Sequence, residues 1–204
     1  MMQAELNFHA WGGKRKGAGR KPSKTSGVPH LRREDLAARH PVHATLRVGK
    51  GCWNLRSHRA LRALESAFLA GRERFGFRLV HYSVQGNHLH LLVEAEGKES
   101  LARGMKGLGV RVARALNRMM SRKGRVLGDR YHAHVLRTPR EAARALRYVL
   151  TNFAHHAREW GGQVAATFID PFSSVRFLAT SPGPGAPVAG PRTWLLRSGW
   201  LGSS

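Results

Sequence analysis

An α+β fold built on one antiparallel sheet is predicted by three observations. Short β-rich runs alternate with longer segments of helical hydrophobic period, two of those runs are separated only by a turn, and 42% hydrophobic residues in a chain of 204 are enough for one core. HPVHATLRVGKG (40 to 51) alternates apolar and polar residues and ends in glycine, which predicts the first strand. Residues 56 to 75 place Leu61, Leu64, Ala67 and Phe68 at helical spacing. FRLVHYSVQG (77 to 86) and LHLLVEAEG (89 to 97) flank a turn at Gly86-Asn87 and predict a hairpin. A second helix is expected over about 99 to 121, with Met105, Leu108, Val112, Leu116 and Met119 inward and Arg103, Lys106, Arg111, Arg114 and Arg118 outward. YHAHVLR (131 to 137) reads as a further strand, and residues 139 to 159 as a third helix with Pro139 near its start. The order β-α-β-β-α-β-α predicts a ferredoxin-like arrangement, an antiparallel sheet with helices on one face.

Around this domain (38 to 180) lie two tails of different composition. Residues 1 to 37 contain WGGKRKGAGRKPSKTSG (11 to 27), six Lys/Arg among Gly, Ser and Pro with no hydrophobic period, and predict a flexible basic arm. Residues 181 to 204 begin with a Pro/Gly linker and end in the apolar TWLLRSGWL, which could fold back on the domain.

Lys and Arg number 35 against 12 Asp and Glu, a net charge of 35 − 12 = +23, so a polyanionic partner is expected. No apolar run approaches the roughly 18 residues of a membrane span, and the start of the chain lacks a signal-peptide stretch, so a cytoplasmic protein is expected. The single cysteine, Cys52, excludes an internal disulfide framework and a zinc site built on several thiolates. Twelve scattered carboxylates, with Glu34-Asp35 the one adjacent pair, argue against a nuclease that holds two metal ions on an acidic cluster. Twelve histidines are left as ligands, and Tyr82, Tyr131 and Tyr148 are the three candidates for tyrosine chemistry.

His88 and His90 in NHLHLLVE are two apart, so on a strand both imidazoles share one face while Leu89, Leu91 and Val93 share the other. Alone, the pair is either half a metal site or a coincidence in a histidine-rich chain. In the third helix Ala142, Leu146, Val149, Leu150 and Phe153 form an apolar stripe, with Arg144, Tyr148, Thr151, Asn152 and His155 opposite. Tyr148 and Asn152 are one turn apart and can address one spot, although a solvated helix face would show the same pattern. Two imidazoles and the Asn152 oxygen would make an uncharged set of three ligands, leaving a cation its full charge and open positions for phosphate and water. Such an ion would neutralise a scissile phosphate and align it for attack by a phenol.

These residues also carry a resemblance. NHLHLLVE resembles the His-hydrophobic-His strand of the HUH single-tyrosine transposases, and LRYVLTNFAHH resembles their catalytic helix, in which the tyrosine precedes a polar metal ligand by four residues. VLGDRYHAHVLRT and DPFSSVRFL (170 to 178) are similar to flanking segments of the REP-associated tyrosine transposases. The resemblance covers about residues 38 to 180. It implies Tyr148 as nucleophile, His88, His90 and Asn152 as ligands of Mg²⁺ or Mn²⁺, and cleavage of single-stranded DNA beside a hairpin through a 5′-phosphotyrosine. It also allows a monomer or a homodimer, and implies a nucleoid-associated protein. Two positions depart from the family pattern, Gly86 and Phe153, where proline is common; the second bears on the helix around Asn152.

Other residues have more than one reading. Arg15, Lys16, Arg20 and Lys21 of the arm, Lys106, Arg111 and Arg114 of the second helix, and Arg130, Arg144 and Arg147 are candidate phosphate contacts, against a background in which most arginines supply only field. His155 and His156 are proton-transfer candidates or solvated side chains. Glu94 either orients an imidazole or is a strand-end charge. His81 reads as structural, Tyr82 as core, and Tyr131 as packing or a DNA contact. The rival functional reading is a noncatalytic DNA- or RNA-binding regulatory module on the same fold. A replication initiator or relaxase would share the chemistry but usually has a longer chain.

Overall fold

The computed structural model describes residues 34–159, with 154–159 by backbone only, and residues 163, 165, 168–178 and 182–202. Arg15, Lys16, Arg20, Lys21 and the side chains of His155 and His156 lie outside the described residues.

Among the described residues, five strands and three long helices follow the expected order with one addition. β1 is Val42–Arg47, α1 His58–Gly71, β2 Glu73–Arg74, β3 Phe77–Val84, β4 His88–Ala95, α2 Lys98–Met119, β5 His132–Val135 and α3 Pro139–Glu159. They form one antiparallel sheet in the order β2-β3-β4-β1-β5, so the chain's first strand lies between β4 and β5. The two-residue β2 was not expected, because a pair that short carries no periodicity.

Alternation decides what each face becomes. Val42, Ala44 and Leu46 of β1, Leu89, Leu91 and Val93 of β4, and Tyr82 and Val84 of β3 point to one side, where Leu61, Leu64 and Phe68 of α1 and Met105, Leu108 and Val112 of α2 cover them in the main core. Ser57 starts α1, its hydroxyl accepting from the Ala60 N–H at 3.2 Å.

The α+β class and the ferredoxin-like order match expectation, but the placement of helices on one face holds only for α1 and α2. Ala145, Leu146, Val149 and Leu150 of α3 pack against Val80 and Leu92, which belong to the opposite side of the sheet, together with Leu136 and Leu196. The apolar stripe of α3 needed a second apolar surface, and a shift in the β3–β4 register between Leu79 and His81 turns Val80 toward it. The start of α3 is a reciprocal cap: Thr138 Oγ1 accepts from the Glu141 N–H at 3.2 Å, and Glu141 Oε2 accepts from the Thr138 N–H at 3.0 Å.

The apolar tail does fold back. Leu195 and Leu196 are buried in a short helical turn, Leu195–Gly199, and Leu196 joins the cluster beneath α3. Among the described residues no helix is long and apolar enough to cross a membrane.

Candidate active site

The second side of the sheet carries polar side chains in cross-strand rows. Ser83, His90, Thr45 and His132 are register partners in one row, and His81, Leu92, His43 and His134 in the next. Residues opposite each other share a face, so four strands bring histidines to the side on which α3 packs.

His88 and His90 meet there, their Nε2 atoms 3.0 Å apart. His88 Nδ1 stands 2.8 Å from the Asn87 Oδ1; in the tautomer that donates from Nδ1 to this oxygen, a neutral His88 has its lone pair on Nε2. His90 Nδ1 stands 3.1 Å from His43 Nε2 and 3.3 Å from Thr45 Oγ1, so β1 fixes the ring from behind. Burial first, then the neighbouring His134 and His132, push the His43 pKa down to about 4, which keeps this ring neutral at ordinary pH.

Tyr148 sits across from the pair. Its ring centroid is 5.0 Å from that of His90 and 5.9 Å from that of His43, both edge-on, and the residue is 41% exposed. Of the other tyrosines, one is buried and one half-buried. Tyr82 is fully buried, donates to Glu65, and has its pKa raised by burial and by that carboxylate; Tyr131 packs against the main core. Of the three phenols, Tyr148 is the accessible one.

Asn152 does not fit the solvated-face alternative: it is 1% exposed, because its position borders the stripe that α3 lays on the sheet. Neither its amide oxygen nor its nitrogen has a hydrogen-bond partner among the described residues. Leaving such groups unpaired costs about 1–3 kcal/mol each, a cost seldom kept without a use. From Tyr148, the helix advances toward the β3–β4 turn: Phe153 lies under the Arg56 guanidinium, 3.8 Å from the ring centroid, and Arg56 Nη1 donates to the Val84 carbonyl at 2.9 Å. Stepping from Tyr148 to Asn152 therefore goes the same way as stepping from His90 to His88.

Arg56 is a residue that sequence reasoning missed. It pairs bidentately with Asp170 at 2.8 and 3.0 Å, and its other ring neighbour is Phe172 at 4.5 Å. The segment after α3, the end of α3 and the hairpin end of β3 are thus joined through one side chain. Phe153, one of the two departures from the family pattern, supplies the surface on which Arg56 stacks. His43 was missed as well; a cue existed in its spacing of two from Thr45, but only strand pairing shows that the two stand behind His90.

Two further expectations are corrected or refined. Glu94 does not orient an imidazole. It lies two side chains beyond His90 on the same face, past Leu92, and its buried carboxylate accepts from the Arg192 N–H at 2.8 Å, the Thr193 N–H at 2.9 Å and the Thr193 hydroxyl at 2.8 Å. It anchors the returning tail. His81 is structural: Ser174 Oγ accepts from the Tyr82 N–H at 2.9 Å and lies 3.1 Å from His81 Nδ1.

The candidate phosphate contacts divide. Arg144 is exposed one turn before Tyr148, with Arg147 exposed beside it, and Arg130 lies two residues before His132 at the β5 end of the histidine row. Lys106, Arg111 and Arg114 belong to α2, on the other side of the sheet from Tyr148. Among the described residues, no group of three or more His, Cys, Asp or Glu gathers as a metal site. The groups that could hold a cation are the two imidazoles, joined at 3.0 Å, and the buried Asn152 amide, which has no hydrogen-bond partner among the described residues. Adjacent ligands about 2.1 Å from an octahedral ion stand roughly 3.0 Å apart, so the His88–His90 spacing suits one cation.

No family model matches the chain, and no curated protein sequence matches it. Among solved structures, the chain is similar to a REP-associated tyrosine transposase bound to a REP hairpin, with a TM-score of 0.55 at 14% identity over 73% of this chain and 84% of that one. A second likeness, at a TM-score of 0.41 and 15% identity over 69% of this chain and all of the other, is to a proposed transposase of Deinococcus radiodurans. At 14% identity the likeness to the first is one of fold.

Proposed function

We propose that the chain is a transposase-like DNA strand transferase of the HUH single-tyrosine type, with Tyr148 as its nucleophile. One observation carries this reading: the accessible tyrosine stands 5.0 Å, ring to ring, from His90, whose Nε2 is 3.0 Å from that of His88. The fold shared with a hairpin-bound transposase supports it.

His88, His90 and Asn152 would hold Mg²⁺ or Mn²⁺. When bound, the ion neutralises the scissile phosphate and positions its phosphorus. The phenol must reach that phosphorus through an open face, which the exposure of Tyr148 allows. Tyr148 Oη forms a bond to phosphorus as the bond to the 3′ oxygen breaks; the phenolic proton is released and the departing oxygen takes one up. The products are a 5′-phosphotyrosine and a free 3′-OH, and attack by another 3′-OH reverses the step on a new strand. Arg144, Arg147 and Arg130 would steady neighbouring phosphates. The substrate would be single-stranded DNA beside a hairpin, and a DNA substrate would place the protein at the nucleoid, as a monomer or a homodimer.

The test is incubation with labelled hairpin-flanked single-stranded DNA and Mg²⁺ or Mn²⁺, followed by denaturing electrophoresis. A covalent adduct is expected from the unaltered protein and none from Tyr148→Phe. An adduct that survives in Tyr148→Phe removes the assigned nucleophile. Salt-sensitive DNA binding with no adduct under any condition would favour the noncatalytic regulatory module.

A further inference from the structure

Away from the tyrosine, a cavity of about 600 Å³ opens at the far end of β4, between the β2–β3 turn and the returning tail. Two aromatic residues on its wall face solvent, Phe75 at 65% and Trp194 at 63% exposure. Both are held in place in unusual ways. Phe75 and Gly76 form the two-residue turn between Arg74 and Phe77, with φ of +56° and +71°. Such a turn favours Asn-Gly or Asp-Gly, and a bulky aromatic at its first central position is strained. The strain displays the ring instead of burying it. Trp194 lies against the backbone of Gly199, where a Cβ would stand 2.8 Å from the indole, so one face of the ring is backed and the rest is open. The tail that carries Trp194 is pinned through Arg192 and Thr193 to Glu94.

The rim of this cavity supplies cations. Arg39 and Arg74 are exposed and have no carboxylate partner among the described residues, and the Arg192 side chain is 73% exposed. Two of the carboxylates on the wall are engaged, Glu73 with Arg78 and Arg192, and Glu94 with the tail. The third, Glu96, lies over Gly76 beside Phe75 and has no cationic partner among the described residues.

We infer that this cavity is a second nucleic-acid site, taking an unpaired base of a single strand between or upon Phe75 and Trp194 while rim arginines hold its phosphates. Fixed aromatic platforms in a basic protein suit sequence-tolerant stacking, which needs a flat apolar surface more than matched hydrogen bonds. Glu96 adds an acceptor for the exocyclic amine of adenine, cytosine or guanine, which thymine lacks. From His90 to Ala95 the strand advances five residues, roughly 16 Å, so the site is separate from the tyrosine and would hold a different stretch of strand. The inference rests on the reading of DNA as substrate.

The experiment uses the full chain carrying Tyr148→Phe, so that binding is read without cleavage, and a fluorescein-labelled, unstructured single-stranded oligonucleotide of mixed sequence. Phe75→Ser and Trp194→Ser lie on the surface, and circular dichroism checks that both remain folded. Each is expected to weaken binding about tenfold with an unchanged salt slope, since stacking releases no counterions. Arg74→Gln is expected to weaken binding and lower the salt slope by about one. A 2-aminopurine in the strand should be quenched by the parent and less by Phe75→Ser, and oligo(dT) should bind less tightly than the mixed strand. If the parent binds and both aromatic variants bind equally well, the cavity is not a base site, while the proposed function stands. If the parent does not bind single strands at all, the functional reading and the cavity fall together.

Discussion

His90 and Leu91 are neighbours on β4, and the two faces they point to do different work. The Leu91 side is closed: Val42, Ala44, Leu46, Leu89 and Val93 are all 2% exposed or less under α1 and α2. The His90 side gathers His43, His81, His88, His132 and His134, and α3 covers only part of it. Apolar pairing with two helices explains why the first face can hold the domain together. Its rigidity lets the second keep imidazoles close to one another, and an amide without partners among the described residues, at a cost in stability. If that division is correct, adjacent substitutions on one strand should have opposite consequences.

His90→Ala gives the largest expected effect on chemistry. Loss of one of two imidazoles should lower adduct formation by roughly 10³-fold, several kcal/mol of transition-state stabilisation, with a far smaller change in the unfolding midpoint. Leu91→Ala should do the reverse. A fully buried leucine cut to alanine costs about 2–5 kcal/mol, measurable by urea unfolding, while adduct formation per folded molecule stays near that of the parent. A His90→Ala protein that unfolds as readily as Leu91→Ala would show that the histidine face is also structural, and the division would fail.

How far this division is legible in the sequence depends on range. Local period was enough for the helices and the hairpin, and for the alternation that separates His88 and His90 from Leu89 and Leu91. The pair Tyr148 and Asn152 was visible as a one-turn spacing. What period cannot show is which strand lies beside which. The positions of His43 and Thr45 behind His90 follow from the β1–β4 register, and the covering of the second face by α3 follows from Val80 and Leu92 being available there. Arg56 joins segments 114 residues apart through Asp170, and Glu94 joins the tail 98 and 99 residues away; nothing local marks either. The burial of Asn152 is not legible from its position opposite the stripe, because a helical wheel has no sharp edge, and a residue bordering the stripe goes wherever the sheet is.

His81 sharpens the comparison, because it lies on the histidine face but under cover. Burial pushes its pKa down to about 4 from an unfolded value of 6.5, so the folded protein keeps the ring neutral where the unfolded chain would protonate it. The stabilising contribution is therefore full above pH 6.5 and is lost as pH falls toward 4. Between pH 7 and pH 5 it amounts to roughly 2 kcal/mol. His43 contributes in the same window and with the same sign. Urea unfolding at the two pH values should show the loss, and His81→Gln should reduce it. An equal loss in that variant would mean that the ring titrates normally in the folded state.

The smallest expected effect concerns the contact between the two faces' ends. Arg56 starts in the segment before α1, on the packed side, yet its guanidinium stacks on Phe153, the residue after Asn152, and bonds to Val84 near the hairpin that carries His88. A lysine there keeps the charge opposite Asp170 but has neither the planar surface for Phe153 and Phe172 nor the bidentate geometry. Arg56→Lys should therefore lower adduct formation about tenfold by loosening Asn152 against the histidine pair, since small misplacements of reacting groups are costly. A Phe153→Tyr substitution keeps a ring for Arg56 and should behave like the parent, whereas Phe153→Leu should resemble Arg56→Lys. Were all three to react at the parent rate, Arg56 would belong to the packed side alone, and Asn152 would be placed by the α3 stripe without help from beyond the sheet.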